Sequence, residues 1–417
     1  MKTKFLTAAD ELSADEWATL TGNTPAPMRD PFCSRIFLSA AENAMRSGDS
    51  PVGSGVESRL STAEPLHRRE AVLRETPVTP PSSLGWRAHH LCLTDDDNNV
   101  AALLPLYIRT HSFGDFSRDW GWPDAWERAG LTYYPKLVSG IPFTPSPGPR
   151  FLVRPDLPRA TWLAALMQAA IAEVTNLGAS NWQCLFVNEQ DAAMLSSAGL
   201  LMRRGVQFHW CNADYKNFDD FLAGFTADKR KKLKRERRAV TESGVQLETL
   251  HGNEISAAMW RDIHRQYRDT FARYGNYPAF PLAFFVEVAA KLGRQLVVFV
   301  ARENGHIIAS AICYRDGNAL YGRHWGCDRT IPGLHFELCF YQGIEYCIAQ
   351  GLQSFEPGAQ GEHKLARGFT PVATWSGFWI ADPRMRRAVG DFVDREDAAM
   401  QDYADEASAH LPFRRGA

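Results

Sequence analysis

The sequence lacks several features that would narrow its class at once. Its eight cysteines include no Cys-x-x-Cys pair, which argues against a structural zinc site and suits a reducing compartment. No stretch approaches the roughly 18 consecutive apolar residues of a membrane-spanning helix. Residues 1–10 include two lysines but no apolar run, so no signal peptide is seen. We therefore expect a cytoplasmic protein with no membrane insertion, no metal site and no tightly bound cofactor.

The chain also has little net charge, formally −2 at pH 7, so any attraction to a polyanion must be local. Against this background, residues 228–238 read Asp-Lys-Arg-Lys-Lys-Leu-Lys-Arg-Glu-Arg-Arg, with eight basic residues among eleven. In a helix, like charges three and four positions apart repel by about 0.2–0.5 kcal/mol per pair. Phosphate contact would offset this repulsion, whereas a solvated helix face is the alternative interpretation.

With 417 residues and 45% apolar residues, the chain is long enough for two domains with substantial cores. Residues 47–87 are rich in Ser, Gly, Pro and charge, which predicts a mobile surface insertion. On either side of it, helices mix with largely antiparallel strands, and the order in 213–417 repeats loosely that in 1–212. The expected fold class is therefore α+β, with one domain in 1–212 and a second in 213–417.

Local patterns support this organisation. Asn217 is a candidate N-cap, and the apolar spacing of Phe218, Phe221, Leu222 and Phe225 predicts a buried helix face. The basic run is expected in a helix over 226–242, ended by Ser243-Gly244. Asn304-Gly305 and Asp316-Gly317 separate three β-rich runs and predict two hairpins. A helix over Gly333–Gln350 and a single strand over Val100–Ile108 are also predicted.

Several segments resemble those of a known enzyme superfamily. They are His111-Ser-Phe-Gly-Asp-Phe-Ser-Arg-Asp-Trp-Gly-Trp122, Tyr133-Tyr-Pro-Lys136, Pro142-Phe-Thr-Pro145, the basic run, Gly322-Arg-His-Trp-Gly326, His335-Phe-Glu-Leu338, Gly361-Glu-His-Lys364 and Arg367-Gly-Phe369. Together with the order of helices and strands, they resemble the GNAT N-acyltransferases. The closer resemblance is to the Fem-type aminoacyltransferases and to the FemAB-like family associated with peptidoglycan biosynthesis or recognition.

This resemblance implies two tandem GNAT-like domains, each a mixed, largely antiparallel sheet flanked by helices. It implies an enzyme that moves an aminoacyl group from aminoacyl-tRNA onto an amine-bearing acceptor, whose identity stays open. It also provides a polyanionic partner, tRNA, for the basic helix. The residues that we expect to contact phosphate are Lys229, Arg230, Lys232, Arg235 and Arg237.

The catalytic candidates lie in two motifs. Glu337 follows His335 near the start of an apolar helix, where partial desolvation would raise its pKa towards that of a useful base. The alternative is a half-exposed carboxylate that is favoured there by the helix N-terminus. Lys364 matches a lysine of the corresponding Fem-type loop, and we expect it to bind a phosphate or an oxyanion, with His363 assisting proton transfer. The alternative is an exposed polar loop.

The substrate-binding candidates fall in both halves of the chain. Polar and aromatic residues crowd together in the first half, which is typical of a pocket wall for an acceptor but also of a buried aromatic cluster. In the second half, strand alternation sends Arg323 and Trp325 to one face and His324 to the other. The full set is His111, Asp115, Asp119, Trp120, Trp122, Tyr133, Tyr134, Arg323, His324, Trp325 and Arg367.

Two other functions remain open. An acyl-CoA or acyl-carrier-protein donor is the nearest, but acetyl-CoA enzymes of this fold use a glycine-rich turn before the central helix. The corresponding Arg329-Thr-Ile-Pro-Gly-Leu334 has one glycine, and Pro332 lacks a backbone N–H donor. A non-catalytic protein that binds cell-wall fragments or RNA is the other alternative.

Overall fold

The computed structural model describes residues 1–22, 29–46, 84–359 and 361–414. Most of the predicted insertion at 47–87 lies outside the described residues, and its last part enters a strand. The strands in the described parts are β1 (Lys2–Leu6), β2 (Trp86–Ala88), β3 (His90–Thr94), β4 (Val100–Leu104), β5 (Tyr107–Arg109), β6 (Lys136–Ser139), β7 (Leu152–Val153), β8 (Asn181–Val187), β9 (Leu201–Cys211), β10 (Gln246–His251), β11 (Leu296–Glu303), β12 (His306–Arg315), β13 (Ala319–Cys327), β14 (Ser354–Glu356) and β15 (Thr370–Ile380).

Helices flank these strands. They are α1 (Ala14–Thr21), α2 (Arg35–Arg46), α3 (Trp122–Arg128), α4 (Arg159–Asn176), α5 (Glu189–Ser197), α6 (Phe218–Ala223), α7 (Ala227–Glu242), α8 (Ala257–Arg273), α9 (Leu282–Leu292), α10 (Leu334–Phe336), α11 (Gln342–Gln350) and α12 (Pro383–Ala409). A π-helical turn, Glu337–Tyr341, joins α10 to α11. The fold is α+β, as the sequence predicts.

One large sheet runs through both halves of the chain, in the strand order β10-β11-β12-β13-β14-β9-β15-β8-β6-β5-β2. Strand β9, from the first half, pairs with β14 of the second, and β15 returns from the second half to pair with both β9 and β8. The predicted boundary between 212 and 213 follows β9, and the sheet continues through it. The halves therefore share backbone hydrogen bonds through β9 and β15.

A second, four-stranded sheet has the order β1-β3-β4-β7. The single strand predicted over Val100–Ile108 is wrong, because the chain changes sheets at Pro105. Residues before it pair with β3, and Tyr107–Arg109 pair with β2 and β6 of the large sheet. Proline has no N–H for a ladder hydrogen bond, which accounts for the break.

The helices around the basic run begin and end close to the predicted residues. Asn217 caps α6 by accepting a hydrogen bond from the Asp220 N–H, and Thr226 occupies the N-cap position of α7. The apolar face predicted for α6 is buried, and in α7 the buried residues are Leu233 and Val240. The basic helix thus rests on a narrow apolar stripe, which leaves most of its circumference to charged side chains.

The predicted continuous helix over Gly333–Gln350 is wrong in its middle. It begins at Leu334 and changes to π geometry over Glu337–Tyr341 before α11. A π turn contains one more residue than an α turn, so it rotates the side chains after it relative to those before it. Sequence periodicity gives no signal for such a turn, and this one lies next to the candidate site.

Candidate active site

A cleft opens where two neighbouring strands of the large sheet separate. Strands β13 and β14 pair in parallel over Ala319–Tyr321 and Ser354–Glu356. Beyond this point β13 continues to Cys327, whereas β14 ends before Pro357. The resulting cavity has a volume of about 160 Å³. Its lining is Ala311, Ile312, Cys313, Gly322, Arg323, His324, Trp325, His335, Cys339, Phe340, Pro357, His363 and Lys364. We call this space the cleft cavity.

A β-bulge shapes its wall on β13. Ile312 pairs with His324 and Cys313 with Gly322, so Arg323 is the extra residue. The predicted alternation, with Arg323 and Trp325 on one face, is wrong at the bulge. The Arg323 guanidinium lies 4.8 Å from the centre of the Phe32 ring, whereas Trp325 packs beside His335 and a different core cluster.

Arg323 also forms a buried ion pair with Glu356. Its Nη1 lies 2.9 Å from Glu356 Oε1, and its Nη2 donates to Oε2 at 3.1 Å. The Ser146 hydroxyl donates to the same carboxylate from the first half of the chain. The two charged side chains are 5% and 3% exposed, so both are held away from bulk water. Neither Glu356 nor Ser146 stood out in the sequence, since each lies far along the chain from Arg323.

His324 has a different environment from its neighbours. Its ring lies 4.8 Å from that of Tyr267 and 5.8 Å from that of Phe285. Burial lowers the pKa of His324 to about 3. Its imidazole is therefore neutral at physiological pH and forms part of an aromatic wall.

Two further imidazoles meet in the cleft cavity. His335, in the first turn of α10, and His363, in the Glu362–Arg367 turn, have ring centres 6.2 Å apart. Burial lowers the pKa of His335 to about 4 and also lowers that of His363. Both rings are neutral near pH 7, and each therefore has a nitrogen that can accept a proton. The sequence motif contains His335, but its pattern favours Glu337, two positions further on, as the base.

Lys364 contributes a buried ammonium group to the same cavity. The residue is 2% exposed, and its Nζ donates a hydrogen bond to the Gly358 carbonyl. Burial lowers the pKa of Lys364 to about 8, an effect that the negative Glu356 opposes. The structure therefore brings together Lys364, His363, Arg323, His324 and Trp325 from the predicted set.

Arg367 stands behind this cavity and holds the turn that carries His363. Its Nη1 donates to the His363 carbonyl at 2.8 Å, and its Nη2 donates to both oxygens of Glu236 at 3.0 Å. Its guanidinium lies 3.3 Å from the centre of the Phe336 ring. Glu236 belongs to α7, so Arg367 links the basic helix to the cavity loop.

Glu337 lies apart from His363 and Lys364. It is 1% exposed and lines a different cavity, of about 650 Å³, with Arg237 and Glu345. The Arg237 guanidinium donates to both of its carboxylate oxygens, and Gln342 donates to one of them. Its carboxylate is therefore held by the Arg237 cation and does not face the cleft cavity.

The candidates from the first half form a packed network around a buried lysine. Lys136, with no exposed surface, lies 2.9 Å from Asp115 and 2.5 Å from Asp119, and Tyr133 also donates to Asp119. Burial favours the neutral acid, but Lys136, Tyr133 and Gln183 together outweigh it and lower the pKa of Asp119. The rest of the predicted group comprises buried Trp122, half-buried His111 and Tyr134, and Trp120, which is exposed. The linings of both cavities come from other parts of the described chain.

The predicted phosphate contacts divide into two groups. Arg237 is bound by Glu337 and Glu345 and is therefore part of the internal structure. The other four have no ion pair with any described residue, and we call them the basic face. They are Lys229, Arg230, Lys232 and Arg235.

Comparison with known proteins places the chain among acyltransferases. The model of the FemAB-like family, described as peptidoglycan biosynthesis/recognition, matches residues 71–415. No curated protein matches the sequence. Among the helices of the described residues, none combines the length and apolar character needed to cross a membrane.

Solved structures with similar folds include L-PGS from Bacillus licheniformis, at 13% identity and a TM-score of 0.46, covering 74% of this chain and 89% of that one. FemX matches at 12% identity and a TM-score of 0.45, covering 73% and 91%. A tandem GNAT protein from the clavulanic acid biosynthesis pathway matches at 12% identity and a TM-score of 0.41, covering 92% and 99%. The family match spans most of both halves of the chain, whose helices and strands have the predicted α+β character.

Proposed function

Because the chain belongs to the FemAB-like family and is an acyltransferase, we propose that it transfers an aminoacyl group from aminoacyl-tRNA to an amine bound in the cleft cavity. One observation carries this proposal: neutral His335 and His363 stand beside the buried ammonium of Lys364 in a cavity of amino-acid size. Acyl transfer to an amine requires a proton acceptor and positive charge near the carbonyl oxygen, and these groups provide both.

The reaction would proceed by attack of a neutral amine on the acyl carbon. A C–N bond forms, and the carbonyl oxygen becomes an oxyanion that Lys364 stabilises. The C–O bond to the carrier then breaks, and its electron pair remains on the leaving ribose oxygen. One amine proton passes to an imidazole of His335 or His363 and from there to that oxygen. An ester is already activated, so positioning of the amine accounts for much of the expected rate.

The basic face is the proposed docking surface for the nucleic acid. Its four cations have no ion pair with any described residue, and they lie on the helix that carries Glu236. Lysine and arginine on such a surface bind the phosphate backbone without reading sequence. Arg367 donates hydrogen bonds to Glu236 and to the His363 carbonyl, and it thereby joins this surface to the cleft cavity. A donor docked on α7 would thus lie beside the reacting groups.

An acyl thioester is the second candidate donor. The turn before α10 offers Gly333 at a φ of 84° and, before it, Pro332, which cannot donate a hydrogen bond. Such a turn provides fewer N–H groups for a pyrophosphate than a glycine-rich one. Coenzyme A and acyl carrier protein are therefore the less favoured donors, and a role in binding without turnover is less favoured still.

The test is transfer of a radiolabelled aminoacyl group. Total charged tRNA is incubated with the protein and a mixture of amino acids and peptides, and formation of a labelled amide is measured. We expect an amide product that His363→Gln and Lys364→Gln variants do not form at the wild-type rate. Stabilisation by coenzyme A but not by tRNA in a thermal-shift comparison would instead support the thioester. Binding of cell-wall fragments or RNA that is unchanged in both variants, with no amide product from the wild type, would support a non-catalytic protein.

A further inference from the structure

The cleft cavity is lined by two cationic side chains, Arg323 and Lys364, and one carboxylate, that of Glu356, lies beside them. One positive charge therefore remains without a neutralising partner. Arg323 is balanced by Glu356 in the buried ion pair described above. Lys364 has no carboxylate oxygen within 4.0 Å among the described residues, and its hydrogen bond goes to the uncharged Gly358 carbonyl. A buried ammonium without a counter-ion is unfavourable, and a bound anion would remove that cost.

Arg323 shows where such an anion would bind. Its Nε is buried and has no hydrogen-bond partner, while its two Nη atoms face Glu356. The side chain is 5% exposed, and Arg323 is among the residues that line the cleft cavity. Lys364 retains two N–H bonds after its bond to Gly358, one for a ligand anion and one for an oxyanion. Arg323 and Lys364 therefore line the same cavity, and each has donor capacity that no described residue uses.

The size of the cavity limits the ligand. At about 160 Å³ it is close to the roughly 150 Å³ of an engineered protein cavity that holds benzene. A group of about six non-hydrogen atoms fits, whereas a nucleotide does not. Trp325 and Phe340 form apolar parts of the wall, and His335 and His363 are uncharged. The ligand therefore combines one small anionic group with a part that suits apolar and neutral surroundings.

We propose that the cleft cavity binds a small free amino acid. Its carboxylate contacts Arg323 Nε and the Lys364 ammonium, and its amine nitrogen faces His335 or His363. The assignment of that amine as the acceptor nucleophile rests on the proposed function. The anion site rests on the unpartnered Arg323 N–H and on the charge of Lys364, and it can be tested without turnover.

The experiment is a binding titration of the full chain by ligand-observed NMR. The probes are the 20 common L-amino acids and their C-terminal amides, two series of glycyl dipeptides with free and amidated carboxyl termini, and inorganic phosphate. We expect at least one free acid to bind about tenfold or more tightly than its amide, as a charge-assisted hydrogen bond allows. Acid preference among the free amino acids is the expected result. A preference confined to the dipeptides would overturn the proposal, because the nitrogen of a carboxyl-terminal residue is an amide and is not nucleophilic.

Variants test the two donors. Lys364→Gln should reduce the preference for acid over amide at least tenfold. The double variant Arg323→Gln with Glu356→Gln should do the same. Both members of the ion pair are changed together so that neither side chain remains as an unpaired buried charge. Lys4→Gln, at an exposed position on β1 in the other sheet, is the control and should retain the preference. A cooperative unfolding transition is measured for each variant to verify that it is folded.

Equal binding of acids and amides, or binding of phosphate with no acid binding, would overturn the proposal. So would an acid preference that survives Lys364→Gln and the double variant. Acid-selective binding without any acyl transfer would leave the anion site standing and would reject the proposed function instead. The two claims can therefore fail separately.

Discussion

Arg237 on α7 holds Glu337 by two hydrogen bonds, from Nε to Oε2 at 3.0 Å and from Nη2 to Oε1 at 2.8 Å. The same guanidinium binds Glu345 on α11, so it connects the basic helix to the first residue of the π-helical turn and to the helix that follows it. Glu337 is 2% exposed at its side chain and Arg237 is 25% exposed. This bond gives Glu337 a structural role that its position in the sequence does not reveal.

Replacing Glu337 should therefore affect stability first. Glu337→Gln leaves Arg237 with Glu345 alone, and we expect a loss of about 1–3 kcal/mol in the free energy of unfolding, measured by urea denaturation. The double variant Arg237→Met with Glu337→Met should recover part of that loss, because no unpaired charge remains buried. Loss of transferase activity in a Glu337→Gln variant of wild-type stability would instead identify Glu337 as the general base.

Lys364 should produce opposite effects of alkaline pH on activity and on stability. Burial lowers its pKa from an ordinary 10.5 to about 8, so the unfolded chain binds more protons than the folded one between these values. Stability linked to Lys364 should thus rise between about pH 8 and 10.5, while activity that needs the ammonium falls as pH passes 8. Lys364→Met should remove this stability slope. A slope that persists in Lys364→Met would contradict the assignment.

Acid should destabilise the protein through the buried imidazoles. The pKa of His335 is lowered from 6.5 to about 4 by burial, so its neutral form is favoured in the folded state. That stabilisation is complete above pH 6.5 and is lost as pH falls towards 4. We expect the pH dependence of the melting temperature in this window to be shallower in His335→Gln. His410→Gln, at an exposed position after α12, serves as the control.

Neutralising the basic face should weaken tRNA binding without unfolding the chain. Changing its four residues to Gln removes no described ion pair, and the apolar anchors of α6 and α7 remain. Each lost phosphate contact should reduce the slope of log K against log salt concentration by about 0.7–0.9. The measurement is fluorescence anisotropy of labelled tRNA at several salt concentrations.

The matched control for the basic face neutralises four exposed basic residues elsewhere on the surface, namely Lys2, Lys4, Lys291 and Arg387. It changes the net charge by the same amount, so it separates a local surface from a general charge effect. Equal loss of tRNA affinity in both sets would contradict docking on α7. An unchanged slope of log K against log salt concentration in the basic-face variant would also contradict docking on α7.

Much of the local structure follows from short-range rules. The N-cap at Asn217, the apolar face of α6 and the turns Asn304-Gly305 and Asp316-Gly317 depend on neighbours within about four residues, and each lies where it was predicted. The strand pairing of β9 with β14 and of β15 with β8 depends on residues far apart in sequence, which no local pattern encodes.

The site residues show the same division. His335 and Glu337 lie in one motif, yet one lines the cleft cavity and the other pairs with Arg237 on α7. The π-helical turn that begins at Glu337 and the bulge at Arg323 each insert one residue into a regular element. Such an insertion changes the direction of the side chains that follow it, which sequence periodicity does not anticipate.

The family, the α+β class and the eight cations among eleven residues can be read directly from the sequence. Which of those cations remain available depends on the fold, since Arg237 is bound by carboxylates about a hundred residues away and Lys234 by Asp219. The fold likewise brings Arg323, whose Nε–H is unpaired, and the buried Lys364 to the lining of one cavity. Charge is a property of each residue, whereas its neutralisation depends on distance in space, and distance is set by the fold.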